Sequence, residues 1–141
     1  MSGRRPELRS ARDSTRKVLL AVREGHVDPR LLASARALSQ RMAADLDILV
    51  LATGETLPAE VATFVRTLRD AGVAYSLTVK PDLRRRDIVQ YANTHECITT
   101  VVIDSLEGWE SVAADRAANP WAKLACPLVT AAPSKTSTST T

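Results

Sequence analysis

The sequence predicts an α/β fold, a three-layer sandwich built on a five-stranded parallel sheet, and three observations carry that expectation. First, five short apolar runs recur along the chain: Val18–Val22, Leu46–Leu51, Tyr75–Val79, Ile98–Ile103 and Pro127–Thr130. Second, the stretches between them repeat apolar residues at the spacing of one helix face. Third, near-continuous apolar runs suit strands covered on both sides, and strands separated by helices pair in parallel through right-handed crossovers.

The first strand begins at Lys17, and the first helix follows at Asp28-Pro29, an N-cap aspartate with proline in the first turn. Leu31, Leu32, Ala35, Leu38 and Met42 then recur at helical spacing. The second strand closes at Ala52-Thr53-Gly54. Pro58 opens the second helix, whose stripe is Val61, Phe64, Val65 and Leu68 and whose stop is Ala71-Gly72. A third helix is expected from Pro81-Asp82, with Leu83, Ile88, Tyr91 and Ala92 inward. The fourth strand, at Ile98, is the most β-branched. A polar connection with Asp104, Ser105 and Gly108 follows, then a weaker helical segment from Ala113 to Leu124 broken at Asn119-Pro120, and the last strand at Pro127.

The 141 residues fit one domain of ordinary globular composition, 45% hydrophobic. The expected organisation is a basic tail over 1–16, a folded domain over 17–132 and a Ser/Thr-rich tail over 133–141. Neither tail can bury enough apolar surface to offset the entropy of ordering. The net charge of +3 belongs to the first seventeen residues, where Arg4, Arg5, Arg9, Arg12, Arg16 and Lys17 face only Glu7 and Asp13. The apolar runs are too short to cross a bilayer and no signal-peptide pattern opens the chain, so a cytoplasmic location is expected. With one Phe, two Tyr and two Trp there is little to stack bases on, and stable nucleic-acid binding is not expected.

The common signatures of chemistry are missing. No phosphate loop, dinucleotide Gly-x-Gly-x-x-Gly, His-Glu-x-x-His or Gly-x-Ser-x-Gly pattern occurs. Cys97 and Cys126 are too few and too widely spaced for a zinc site or a disulfide framework, and they read as small apolar side chains. His26 has no nucleophile at a telling distance, and His95 suits the end of the third helix as a cap. No metal site, cofactor or catalytic residue is expected.

From Lys17 to Ala131, about four fifths of the chain, the order of elements resembles the universal stress protein family. Three stretches carry the resemblance. They are Lys17–Val22 leading into Asp28–Ala35, Asp87–His95 before the fourth strand, and Ala125-Cys126-Pro127-Leu128-Val129, which looks like the family's closing Cys-Pro-Val strand. The resemblance implies strand order 3-2-1-4-5 and a homodimer pairing through the last strand, with Pro127, Leu128, Val129 and Thr130 as the candidate dimer edge.

ATP-binding members of that family use an aspartate at the end of the first strand and a glycine-rich Gly-x-x-Gly…Gly-Ser/Thr pattern after the fourth. Here the corresponding positions are Arg23 and Asp104-Ser105-Leu106-Glu107-Gly108, and the later Gly-Ser falls near Ala114-Asp115. Glycines in such loops let main-chain N–H groups reach phosphate, and a carboxylate in their place repels it. A like-charge contact at ~4 Å and an effective dielectric near 20 costs on the order of 4 kcal/mol, roughly three decades in affinity. A degenerate ATP site is therefore expected.

In an open α/β sheet the ligand crevice lies beyond the carboxyl ends of the strands where strand order reverses. That places Arg23, Glu24, Gly25 and His26 opposite Asp104 and Ser105, beside Thr53 and Gly54. One reading makes these a pocket reshaped for a small anion or an adenine nucleotide, with Arg23 as the grasping cation and Gly25 giving backbone access. The other pairs Arg23 with Asp104 and closes the crevice. Arg84, Arg85 and Arg86, the wrong sign for a helix start, read either as a site for an acidic partner or as a solvated face balanced by Asp82 and Asp87. Trp109 and Trp121 are expected to cover the sheet. The expected function is a non-catalytic regulatory module acting through protein contacts, with a transporter or signalling enzyme as the kind of client.

Overall fold

A computed structural model describes residues 16–54, 56–105, 109 and 120–130. Five strands run in chain order: β1 (Lys17–Arg23), β2 (Asp45–Leu51), β3 (Tyr75–Lys80), β4 (Ile98–Ile103) and β5 (Leu128–Thr130). Helix α1 (Pro29–Met42) joins β1 to β2, α2 (Ala59–Asp70) joins β2 to β3, and α3 (Arg85–Thr94) joins β3 to β4. A short 3₁₀ turn, Pro120–Lys123, precedes β5. The sheet is wholly parallel in the order β3-β2-β1-β4-β5. The expected tails and most of the fourth crossover, including Leu106, Glu107, Gly108, Ala114 and Asp115, lie outside the described residues.

Burial on both faces explains why β1, β2 and β4 read as continuous apolar runs. Val18 to Val22 and Leu46 to Val50 are all buried, and alternate residues feed two separate cores. Leu20, Val22, Ile48 and Val50 meet Leu31, Ala35, Val61, Phe64 and Leu68 beneath α1 and α2. On the opposite face Leu19, Ala21, Leu49, Val101 and Ile103 meet Leu83, Ile88, Ala92 and Trp109 beside α3. Each such aliphatic side chain contributes roughly 1.5–3 kcal/mol when fully buried.

The helix ends follow local chemistry. Asp28 caps α1, its Oδ1 accepting from the Arg30 N–H at 2.8 Å, with Pro29 in the first turn. Ala43 ends α1 in the left-handed region, at φ 51°, without the glycine that would have marked the position. Gly72 follows α2 at φ 73°, as its position predicts.

Helix α3 corrects one expectation. It begins at Arg85, not at Pro81-Asp82, because Asp87 takes the main-chain N–H of Arg84 at 2.9 Å and fixes Arg84 as the N-cap. Leu83 is buried from the connection that precedes the helix. Among the described residues no helix is long and apolar enough to cross a membrane.

Candidate functional site: an ion pair at the strand-order reversal

Strands β1 and β4 are neighbours whose crossovers leave in opposite directions, so the reversal of strand order falls at their carboxyl ends. Arg23 is the last residue of β1, and Asp104 immediately follows β4. Their side chains form an ion pair, Arg23 Nη2 to Asp104 Oδ2, with side chains only 15% and 13% exposed. The guanidinium also lies over the Trp109 ring, 5.4 Å from its centroid, at a distance suited to a cation–π contact.

Trp109 is 1% exposed and packs into the α3-side core, so the indole forms a buried floor against the Arg23 guanidinium. Its carbonyl accepts from Arg85 Nε at 2.8 Å, which ties the start of α3 to the same point. Asp104 Oδ1 and Trp109 Nε1 are buried with no hydrogen-bond partner among the described residues.

The other predicted positions form the rim. The Glu24 N–H continues the ladder to the Leu51 carbonyl at 2.8 Å, which sets the side chain beside the end of β2. Glu24 Oε1 accepts from the Thr53 N–H at 3.3 Å, and a Cβ on Gly54 would lie 3.8 Å from Glu24 Oε2. A carboxylate of the chain thus uses the main-chain donor at the lip of the crevice. Gly25 adopts φ 82° in the turn that returns the His26 N–H to the Arg23 carbonyl at 2.9 Å. That backbone conformation favours glycine. The His26 side chain is exposed, and Ser105 is half-buried next to Asp104.

The structure therefore brings Arg23 and Asp104 together, and Glu24 with Thr53 and Gly54. Among the described residues no group of three or more His, Cys, Asp or Glu side chains is arranged to hold a metal ion. The β5 positions Leu128, Val129 and Thr130 form one edge of the sheet, with Pro127 just before them, its carbonyl accepting from the Val101 N–H at 3.0 Å. Val129 is one of two exposed large hydrophobic side chains among the described residues.

The remaining singled-out residues have structural partners. Arg84 pairs with Asp82 at 3.4 Å and approaches Asp87 at 4.0 Å, so aspartates balance this arginine as the solvated-face reading expects. His95 ends α3, its Nδ1 2.6 Å from the Tyr91 carbonyl and its ring stacked on Tyr91 with centroids 4.0 Å apart. Cys97 and Cys126 are free, half-buried thiols, and burial pushes the Cys126 pKa up. Trp121 packs against the α3-side core.

A second polar constellation escaped the sequence reading. Asp47, 2% exposed in the middle of β2, accepts from Ser76 Oγ at 2.9 Å and from Tyr91 Oη at 2.7 Å. Burial, then the Asp47 carboxylate, push the Tyr91 pKa well above its ordinary value near 10. The phenol consequently acts as a donor and not as a nucleophile. A charged residue inside an apolar run was the available signal.

No protein-family model matches the sequence, and no curated protein matches it significantly. Solved structures do match. A universal stress protein from Archaeoglobus fulgidus superimposes with a TM-score of 0.54 at 18% identity, over 82% of this chain and 92% of its own. A universal stress protein family member from Burkholderia pseudomallei gives a TM-score of 0.46 at 18% identity, over 84% of this chain and 96% of its own. Strand order, parallel pairing and the likeness to the first of these agree, and the chain has the universal stress protein fold.

Proposed function

We propose that this chain is a non-catalytic regulatory module of the universal stress protein type, with a degenerate ATP site, that acts through contacts with other proteins. The observation that carries the proposal is the Arg23–Asp104 ion pair above the buried Trp109 ring, at the point where this fold class takes its ligand. A polyphosphate entering there meets Asp104 and Glu24, both carboxylates, while the nearest cation is already engaged. The regulatory role then rests on surfaces instead of on turnover. Under the same proposal the protein is a cytoplasmic homodimer paired through β5, and its client is a transporter or a signalling enzyme.

The second reading is a small-anion or adenine-nucleotide sensor working through a reshaped crevice. Arg23 and the open space over Gly25 favour it, since a Cβ there would meet nothing within 4 Å. Calorimetric titration with ATP, ADP and AMP separates the two. No binding by the unmodified protein is expected, and micromolar binding would overturn the closed-crevice proposal in favour of the sensor. Asp104→Gly is the informative companion variant, because it removes the repelling carboxylate and Arg23's ion-pair partner together.

A further inference from the structure

At the crevice Arg23 and Asp104 are paired with each other; a different concavity is open. Helices α1 and α2 both leave the carboxyl ends of parallel strands on the same face of the sheet, and a groove with a cavity volume of ≈ 600 Å³ runs between them, within the roughly 300–1,000 Å³ range of small-ligand sites. Its apolar lining comes from Leu32, Ala33, Ala59 and Phe64. Arg36, Glu60, Thr63 and Thr67 add polar groups to the walls.

Those two charges sit at opposite ends. Glu60 is in the first turn of α2, about 1.5 Å of rise from its start, whereas Arg36 lies two turns into α1, about 10 Å of rise from its start. Neither enters an ion pair among the described residues. The Arg36 Nε is buried and has no acceptor among the described residues, an unmet donor on the wall of a largely apolar groove. This is the reverse of the crevice, where the arginine is matched by a carboxylate of the chain.

We propose that the α1–α2 groove binds an aliphatic monocarboxylate, its head on Arg36 and its tail lying over Leu32 and Phe64 toward Pro29 and Ala59. A carboxylate supplies the acceptor that the Nε lacks and makes the charge-assisted contact an arginine favours. The tail covers apolar surface that the helices leave open to water. Glu60 at the far end sets the selectivity: a second carboxylate there is repelled, so a ligand with one anionic end is preferred over one with two. The site does not depend on the state of the crevice.

The test is calorimetry of the full chain with three eight-carbon probes, octanoate, 1-octanol and the dicarboxylate suberate. The expected result is saturable octanoate binding, weaker binding of suberate, and a loss of about tenfold or more for octanoate in Arg36→Gln, the scale of one charged hydrogen bond. Binding of 1-octanol stays unchanged in that variant, which separates loss of the head contact from damage to the groove. Absence of saturable octanoate binding, or octanoate binding to Arg36→Gln within about twofold of the unmodified protein, overturns the proposal.

Discussion

Replacing Arg23 with alanine strands the Asp104 carboxylate at the mouth of the crevice, and the cost can be bracketed from burial. An exposed ion pair is worth about 0–1 kcal/mol, whereas breaking a fully buried one costs roughly 3–5 kcal/mol. With side chains 15% and 13% exposed, this pair lies between the two limits, which puts the loss at about 2 kcal/mol. Removing the guanidinium from the Trp109 ring adds roughly 0.5–1 kcal/mol. For a domain of this size each kcal/mol shifts Tm by roughly 3–5 °C, so Arg23→Ala should lower it by about 8–15 °C. Thermal unfolding followed by circular dichroism measures this. The decisive form is a double-mutant cycle with Asp104→Ala. Once the carboxylate is gone the arginine has less to lose, and a coupling energy of about 1.5–2 kcal/mol is expected. A coupling below about 0.5 kcal/mol would refute the reasoning, because the pair would then be no more than a solvated surface contact.

Two further outcomes follow from contacts elsewhere. Tyr91→Phe leaves the buried Asp47 with Ser76 alone and should cost about 1–3 kcal/mol in urea unfolding at neutral pH. Because the folded-state pKa of Tyr91 lies above the unfolded value, its contribution is complete below pH 10 and declines as pH rises beyond it, so stability curves of the two proteins should converge in alkali. For the proposed dimer, Val129→Lys places a charge on the β5 edge and should give a monomer by sedimentation velocity; a dimer that persists would move the interface away from β5.

Most of the fold could be read from the sequence because its determinants are local. An apolar run marks a strand wherever it occurs, and Asp28-Pro29 caps a helix from within two residues. The pairing of Arg23 with Asp104 could be named because topology alone brings the ends of β1 and β4 together. What escaped is contact between elements with no periodic signature. Trp109 was expected to cover the sheet, but its place beneath Arg23 depends on how a long crossover folds back. The start of α3 shifted to Arg85 because one carboxylate three residues past the cap outweighed the proline and aspartate that suggested an earlier start. The α1–α2 groove depends on the spacing between two helices, which neither helix's own pattern encodes.

Asp47 has a consequence for how the sheet finds its alignment. In the native register Asp47 lies opposite Leu19 on β1 and Ser76 on β3, and its side chain meets the Tyr91 hydroxyl on the α3 face. A slip of β2 by one residue turns every side chain to the other face. The carboxylate would then enter the layer of Leu31, Val61, Phe64 and Leu68, which offers it no such donors. Apolar neighbours such as Ile48 and Leu49 would tolerate that exchange far better, since both cores accept aliphatic side chains. One charged residue in the middle of an apolar strand thereby distinguishes the two faces of the sheet and penalises the misaligned pairing that hydrophobicity alone would permit.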